Sequence, residues 1–420
     1  MSSLPPAVAA WCAPTTDGPA LTSAARAAAP PPVLSLGVEE ELHLLSADTL
    51  ALVPRAVDVQ ALLRPVDEDG SVAGELTLSQ VETVSTVCDS LAEARRRIIA
   101  LRGRVGDACR AVGLRPASCG TAPLGGWRGQ QIAGGPAYAS LEQRMGRLAR
   151  EQQIAGLHVH VGAPGRVDDW HVAVLDRLRP WLAVLAALSA SSPWWDGADT
   201  GFASWRQVGW RRWPASGPPP LCGTREGYDA AVATLVAAGL AEGPRQVYWD
   251  ARLSARFPTV EVRVCDALPT VDEAVALTGL VLGLAQVALA QADAGVPAPV
   301  VSDRVLLAAG WRAARWGLSG DLVDPRAADG RTVPAGAAVA ALLAHVDEVV
   351  DPAVRATLAR WSSPAERQRS SGSARAAARL VVEETLAGVP RGSVVRPAGQ
   401  RSDDADERRL RADVPPHHSG

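Results

Sequence analysis

Lysine is missing from all 420 residues, and so is asparagine; the 42 basic residues are all arginine. The first absence removes whole classes of chemistry. A P-loop NTPase and a protein kinase each place a lysine on the phosphates, and a pyridoxal enzyme needs one for its Schiff base. If this chain handles ATP, arginine and metal ions must hold the phosphates. Cysteine is scarce: six residues, Cys12, Cys88, Cys109, Cys119, Cys222 and Cys265, none in Cys-x-x-Cys spacing. That argues against a zinc ribbon or a disulfide framework and fits a reducing cytoplasm. A dominant charge is lacking too, since a net −3 gives no electrostatic reason to expect nucleic acid. Met1 to Val33 carries a single basic residue, Arg26, and has neither the charged start nor the apolar run of a secretory leader. The longest apolar stretch, Ala274 to Ala290, is about one turn short of a membrane span and contains Gln286, so a buried helix is expected there. A cytosolic protein without a membrane partner is the expectation.

What is present is enough apolar sequence, 47% of the chain, to bury a large core. Residues 1–32 are rich in Ala, Pro and Ser, and residues 391–420 are polar, charged and rich in Pro and Gly; both ends read as disordered. Between them there is no long linker and no repeat, so residues 33–390 read as one catalytic domain. Ser90-Leu-Ala-Glu93 is a capping box ahead of Ala94, Ile98, Leu101, Val105, Ala108 and Val112 at helical spacing, with Gly113 after them. Thr270-Val-Asp-Glu273 is a second capping box, opening the helix over 274–290. Arg177 to Ser192 reads as an apolar helix kinked at Pro180. Segments 34–45, 75–86, 156–162 and 259–266 alternate with period two and read as strands. Strands and helices mix without a regular rhythm, and no glycine-rich turn follows a strand. The expected class is α+β, built on an antiparallel sheet.

The informative residues are the polar ones inside those strands. Glu39 and Glu41 project from one face of Gly37-Val-Glu-Glu-Glu-Leu42. His158 and His160 do the same opposite Leu157, Val159 and Val161, and Glu261 and Arg263 share a face above Val260, Val262 and Val264. Segment 75–86 adds Glu75 and Glu82. A single strand charged along one side is usually half solvated. Acidic and imidazole side chains recurring on several strands make a carboxylate-rich surface, where like charges repel unless cations neutralise them. Oxygen-rich sets of this kind suit Mg²⁺ or Mn²⁺ completed by substrate phosphates. Arg206, Arg252 and Arg263 are the candidate grips for phosphate or carboxylate. The polar stretch 188–206 reads either as an ordinary loop or as a substrate loop carrying Arg206. Trp249-Asp-Ala-Arg-Leu-Ser254 puts further polar residues ahead of the Glu261 strand.

With these residues in view, the chain resembles the bacterial carboxylate–amine ligases, the glutamate–cysteine ligase type 2 family within the glutamine synthetase-like fold group. The resemblance runs from about residue 34 to 389. It is carried in order by LGVEEEL (36–42), the segment 75–88, GLHVHVG (156–162), LSASSPWWDGADTGFASWR (188–206), YWDARLS (248–254), TVEVRVCDALPT (259–270) and ARWGLSG (314–320). It implies a curved, mainly antiparallel sheet with helices on the convex face and the active site in a funnel on the other side. It further implies metal ligands at Glu39, Glu41, Glu75, Glu82, His158 and Glu261, with catalysis at Glu82, Glu261 and Arg263. His160, Arg206, Arg252 and Arg263 would meet the nucleotide. The activity implied is ATP-dependent amide or peptide bond formation through an acyl phosphate, with weak glutamate–cysteine ligase activity on L-glutamate and L-cysteine, in a possible homodimer. Three departures stand out. Gly120-Thr-Ala-Pro123 lacks a histidine that many relatives have at 122, Leu253 replaces a usual proline, and Gly310 stands where asparagine is common.

Two other readings compete. A zinc hydrolase using the His158-x-His160 pair would need more imidazoles and a bridging lysine; outside the tail only His43, His171 and His345 remain. A catalytically inactive relative would not need the intact carboxylate set.

Overall fold

The computed structural model describes residues 34–64 and 66–391. The disordered ends expected at 1–32 and 391–420 lie outside these residues, apart from Arg391 itself. The main sheet has seven strands: β1 (Ser35–Ser46), β2 (Gly70–Gly74), β3 (Gln80–Ser85), β4 (Leu114–Ala117), β5 (Gly156–Gly162), β6 (Ala251–Leu253) and β7 (Thr259–Asp266). The order is β6-β7-β5-β1-β3-β2, with β4 beside the second half of β1, and every pairing is antiparallel. β5 and β7 occupy the expected ranges, and β1 is displaced by one residue. The expected strand 75–86 is shortened. Residues before Gln80 form a turn in which the Thr77 hydroxyl donates to Gln80 Oε1 at 3.0 Å, so Glu75 stands on a loop rather than on the strand.

The longer helices pack against one face. Ser90 caps α1 (Leu91–Ala111) by accepting from the Glu93 N–H at 3.2 Å, while the Glu93 carboxylate turns to the N–H of Asp89. The apolar helix expected over 177–192 is two helices, α2 (Trp170–Leu178) and α3 (Leu182–Ser189), joined by a tight turn at Pro180 where the ring removes a donor. A short helix, α4 (Trp205–Trp210), follows the loop after α3, and α5 (Val271–Asp293) opens on the complete Thr270/Glu273 box. By length and composition α5 is able to cross a membrane, but most of it is buried inside the fold. Leu36 and Val38 of β1, Leu157, Val159 and Val161 of β5, and Val260, Val262 and Val264 of β7 bury their side chains among these helices. Each such side chain contributes roughly 1.5–3 kcal/mol. This one-sided core fixes the strand faces, because a one-residue slip would put every valine on the wrong side.

Two irregularities bear on the opposite, open face. On the helix side of β1, Glu40 meets Arg102 of α1, which is 0% exposed; Nη2 and Nε donate to the carboxylate at 2.6 and 3.0 Å. In β7 the pairing with β5 jumps: Val262 faces Val159 and Cys265 faces Leu157. Arg263 and Val264 therefore share one place opposite His158, a β-bulge.

Candidate active site

The open face of the sheet collects residues from five strands. Register places Glu39 opposite His158, Glu41 opposite Glu82, and Glu261 between His160 and Arg252. Together with Glu75 and Arg263 they line a cleft of about 290 Å³, edged by the exposed Arg245 and Arg256 and by Ser254, Ala255 and Phe257. Nine residues expected from sequence thus meet in one place: Glu39, Glu41, Glu75, Glu82, His158, His160, Arg252, Glu261 and Arg263. The strands bring all but Glu75, which the turn before β3 supplies.

Glu39 is the hub. Its Oε2 lies 3.1 Å from His158 Nδ1, and its Oε1 lies 3.2 Å from His160 Nε2, without hydrogen-bond alignment. Thr259 Oγ1 contacts the other nitrogen of His160 at 3.0 Å. Glu41 accepts from the Gly156 N–H at 2.6 Å. Glu261 is gripped by Arg252 at 2.7 and 3.2 Å and by Arg263. Ligand atoms of Glu39, Glu82 and His158 lie within 4.8 Å of one another, and so do those of Glu39, His160 and Glu261. Glu39 belongs to both groups. Sequence reasoning set His160 beside the candidate metal ligands; its ring lies in the second of these groups, with Glu39 and Glu261. Each group offers two carboxylates and one imidazole, a donor set suited to a hard cation more than to zinc.

The electrostatics are unbalanced. Burial pushes Glu75 well above the usual carboxylate range, and the charges of Glu82 and Glu41 push it further; its Oε2 has no hydrogen-bond partner. Glu41 is raised by burial and Glu82, against the pull of His158. Burial acts on Glu39 as well, but His160 and His158 outweigh it and lower the carboxyl. Glu261 is likewise lowered, because Arg252 and Arg263 overcome its burial. His160, which burial alone would deprotonate, is raised by Glu39 and Glu261. Glu75 and Glu41 are left as two carboxyls whose ionisation the cleft disfavours.

Two cavities flank the cleft. One, of about 320 Å³, is mainly apolar: Val38, Val84, Val87, Ala163 and Pro258 line it, and it shares Glu39, His160 and Phe257 with the cleft. Gly37 also lines this cavity, opposite His160, where an added Cβ would lie 3.4 Å from the His160 Cβ. The other, of about 70 Å³, is walled by Tyr138, Trp210, Trp213 and Tyr248 and shares Glu41, Glu75, His158 and Arg263 with the cleft. Sequence reasoning missed this aromatic end; α4 and the segment around Tyr138 carry no motif that marks it.

Three expectations change. Arg206 does not line the cleft but borders the smaller cavity, and its two terminal nitrogens donate to the carbonyls of Arg263 and Val264. The stretch 188–205 contributes nothing to the cleft lining. Its Ser192 and Ser204 hydroxyls donate to the buried Asp266 at 2.7 and 2.8 Å, and Trp194–Trp195 pairs with Ala198–Asp199 in a hairpin turned by Asp196 and Gly197, both at positive φ. Ala122 empties no place at the site: it packs with Leu45, Leu50, Leu52 and Leu124 in a separate apolar cluster.

Comparisons with known proteins bear on the family and the fold. The model of the family described as glutamate–cysteine ligase family 2 matches residues 35–383. A Salinispora arenicola protein named "Putative glutamate–cysteine ligase 2" is 42% identical over 338 residues, 80% of this chain and 85% of its own length. A Rhodopirellula baltica protein of the same name is 34% identical and is covered over 97% of its length. A Frankia casuarinae relative is 39% identical, but the chain spans only 45% of it. Among solved structures, a glutamate–cysteine ligase from Francisella tularensis in complex with AMP superposes with a TM-score of 0.62 at 13% identity, over 86% of this chain and 90% of that one. A bifunctional glutathione synthetase from Pasteurella multocida gives 0.57 at 14%, over 84% and 52%. These two likenesses concern the fold.

Proposed function

The chain belongs to glutamate–cysteine ligase family 2, carboxylate–amine ligases, and from that premise we propose that its cleft joins an amino-acid carboxylate to an amine at the expense of ATP. The observation that carries the reading is the charge imbalance around Glu39: five glutamates face two inward arginines, Arg252 and Arg263. Both arginines are already engaged by Glu261. Such a cleft is tolerable when cations and a polyphosphate share it.

The two groups that meet at Glu39 fit divalent ions: Glu39, Glu82 and His158 would hold one, and Glu39, His160 and Glu261 another, with Glu41 and Glu75 in reserve. Bound Mg²⁺ or Mn²⁺ supplies charge neutralisation on the phosphates. The apolar cavity past Gly37 accepts the nucleobase and keeps water from it, while Arg245 and Arg256 at the rim receive the anionic substrate groups. Arg263, raised by Glu261 and permanently charged, faces the transferred phosphoryl group. The substrate carboxylate oxygen attacks the γ-phosphorus, the bond to the bridging oxygen breaks, and ADP leaves. The amine nitrogen then attacks the acyl carbon, the bond to phosphate breaks, and an ionised carboxylate of the cleft accepts the amine proton. L-Glutamate and L-cysteine, giving γ-glutamylcysteine, are the first substrates to try.

The test is a screen of amino-acid pairs for MgATP-dependent ADP release, with mass spectrometry of the product. An amide product and one ADP per bond are expected from at least one pair. Stoichiometric zinc in the purified protein with ATP-independent hydrolysis would reject the reading.

A further inference from the structure

The bulge in β7 has an unusual support. In a regular strand the carbonyls of Arg263 and Val264 would be served by a neighbouring strand. At the bulge the ladder is interrupted, and a side chain serves them: Arg206 Nη2 donates to Arg263 O at 3.0 Å and Nη1 to Val264 O at 3.2 Å. The Gln207 amide joins on Val264 O. Arg206 is only 1% exposed and is fixed from behind. Its N–H donates to Ser192 Oγ at 3.1 Å, Ser192 in turn donates to Asp266, and the Asp266 carboxylate lies 3.9 Å from Nη1. In front lies Gly156, where a Cβ would fall 2.4 Å from Arg206 Nη2 and 3.0 Å from His158 Nε2, so the absence of a side chain admits the guanidinium.

The bulge sets where Arg263 points. Its carbonyl is held by Arg206 on one side and its N–H by Asp250 O at 2.8 Å on the other. Between these anchors the side chain runs to Glu261, with its guanidinium 5.6 Å from the centre of the Trp210 ring. Without Arg206 the buried Arg263 carbonyl loses its side-chain donor and Val264 O keeps only Gln207; the strand then regains pairing by absorbing the extra residue, which turns Arg263 away from the cleft.

We propose that Arg206 is a positioning residue: it holds the bulge that aims Arg263 into the cleft and itself grips no substrate. The proposal rests on the reading of Arg263 as the group that meets phosphate. It is tested on the full chain with Arg206→Gln, Arg206→Lys, Arg263→Gln and the Gln/Gln double variant. The assay is ADP release with whichever amino-acid pair the unsubstituted enzyme turns over, and amide hydrogen exchange over residues 259–266 is measured alongside.

Arg206→Gln is expected to lower kcat/KM for ATP by roughly 100-fold, the scale of a misplaced reacting group. Arg263→Gln should lower it about as much, and the double variant no further, because a residue acting through another is non-additive with it. Lysine, which can serve one carbonyl, should fall between. Exchange should quicken in Arg206→Gln and not in Arg263→Gln. A double variant whose loss is the product of the two single losses overturns the proposal, as does an Arg206→Gln strand that exchanges like the unsubstituted one. If Arg263→Gln proves silent in the assay, the phosphate reading of Arg263 falls, while the exchange still decides whether Arg206 holds the bulge. Should Arg206→Gln fail to fold, Gly156→Ala displaces the guanidinium without removing its charge, and the same exchange signature is expected.

Discussion

β1 carries buried carboxylates on both of its faces, and the two sides are finished differently. On the helix side Glu40 has a complete set of partners. Arg102 grips both its oxygens and spends its remaining donors on Leu268 O and Pro269 O at 2.8 and 2.7 Å and on Thr385 O at 3.2 Å. On the open side Glu39, Glu41, Glu75 and Glu82 share two histidines and the influence of arginines already engaged elsewhere. One strand therefore shows what a buried charge looks like when the chain completes it and when it leaves completion to a ligand. The first stitches α1 to the sheet; the second is the proposed site.

The comparison breaks most sharply if the two sides respond alike to substitution. Glu39→Gln is expected to lower kcat on the order of 10³-fold, since the hub of both ligand groups is lost, while Glu75→Gln, which removes a carboxyl whose ionisation the cleft disfavours, leaves stability to urea unchanged or raised. A destabilised Glu75→Gln would mean the open side is structural after all. Arg102→Met should do the opposite, removing about 3–5 kcal/mol of stability by stranding Glu40, and Glu40→Gln in the same chain should restore part of it.

A smaller effect sharpens the contrast through pH. Glu75 and Glu41 sit above their ordinary value of 4.5 in the folded protein. A raised folded carboxyl contributes stability that is fully present below the unfolded value and lost as pH rises through the folded one. Metal-free protein is therefore expected to lose stability as pH climbs above about 4.5. Glu39 and Glu261, which are lowered, act below that window and in the opposite sense. Mg²⁺ at 100 times its dissociation constant should return about 2.7 kcal/mol, with a benefit that grows with pH. A magnesium increment that is flat with pH would contradict the charge imbalance; thermal melts at several pH values decide it.

Much of this is legible in the sequence because burial on one side forces alternation. The valines of β5 and β7 locate those strands to the residue, and the same alternation sends His158, His160 and Glu261 to the open face. Glu75 reads as a strand residue because Leu76-Thr-Leu-Ser79 alternates as a strand does; hydrogen bonding among the Thr77, Ser79 and Gln80 side chains makes it a turn. The bulge leaves no mark, since Val260-Glu-Val-Arg-Val264 keeps its rhythm through the extra residue. Arg206 reads as an anion grip because its true acceptors are backbone carbonyls, which every residue has and no composition reveals. Ala122 looks like a lost imidazole at the site, and only the packing of Leu45 and Leu50 around it shows that it faces elsewhere.

Gly37 keeps the apolar cavity open beside His160 with nothing larger than hydrogen. A single methyl there would rest against the His160 Cβ at 3.4 Å. In the proposed ligase this one position ties the width of the apolar cavity to the seating of an imidazole in the cleft, so the two are adjusted together.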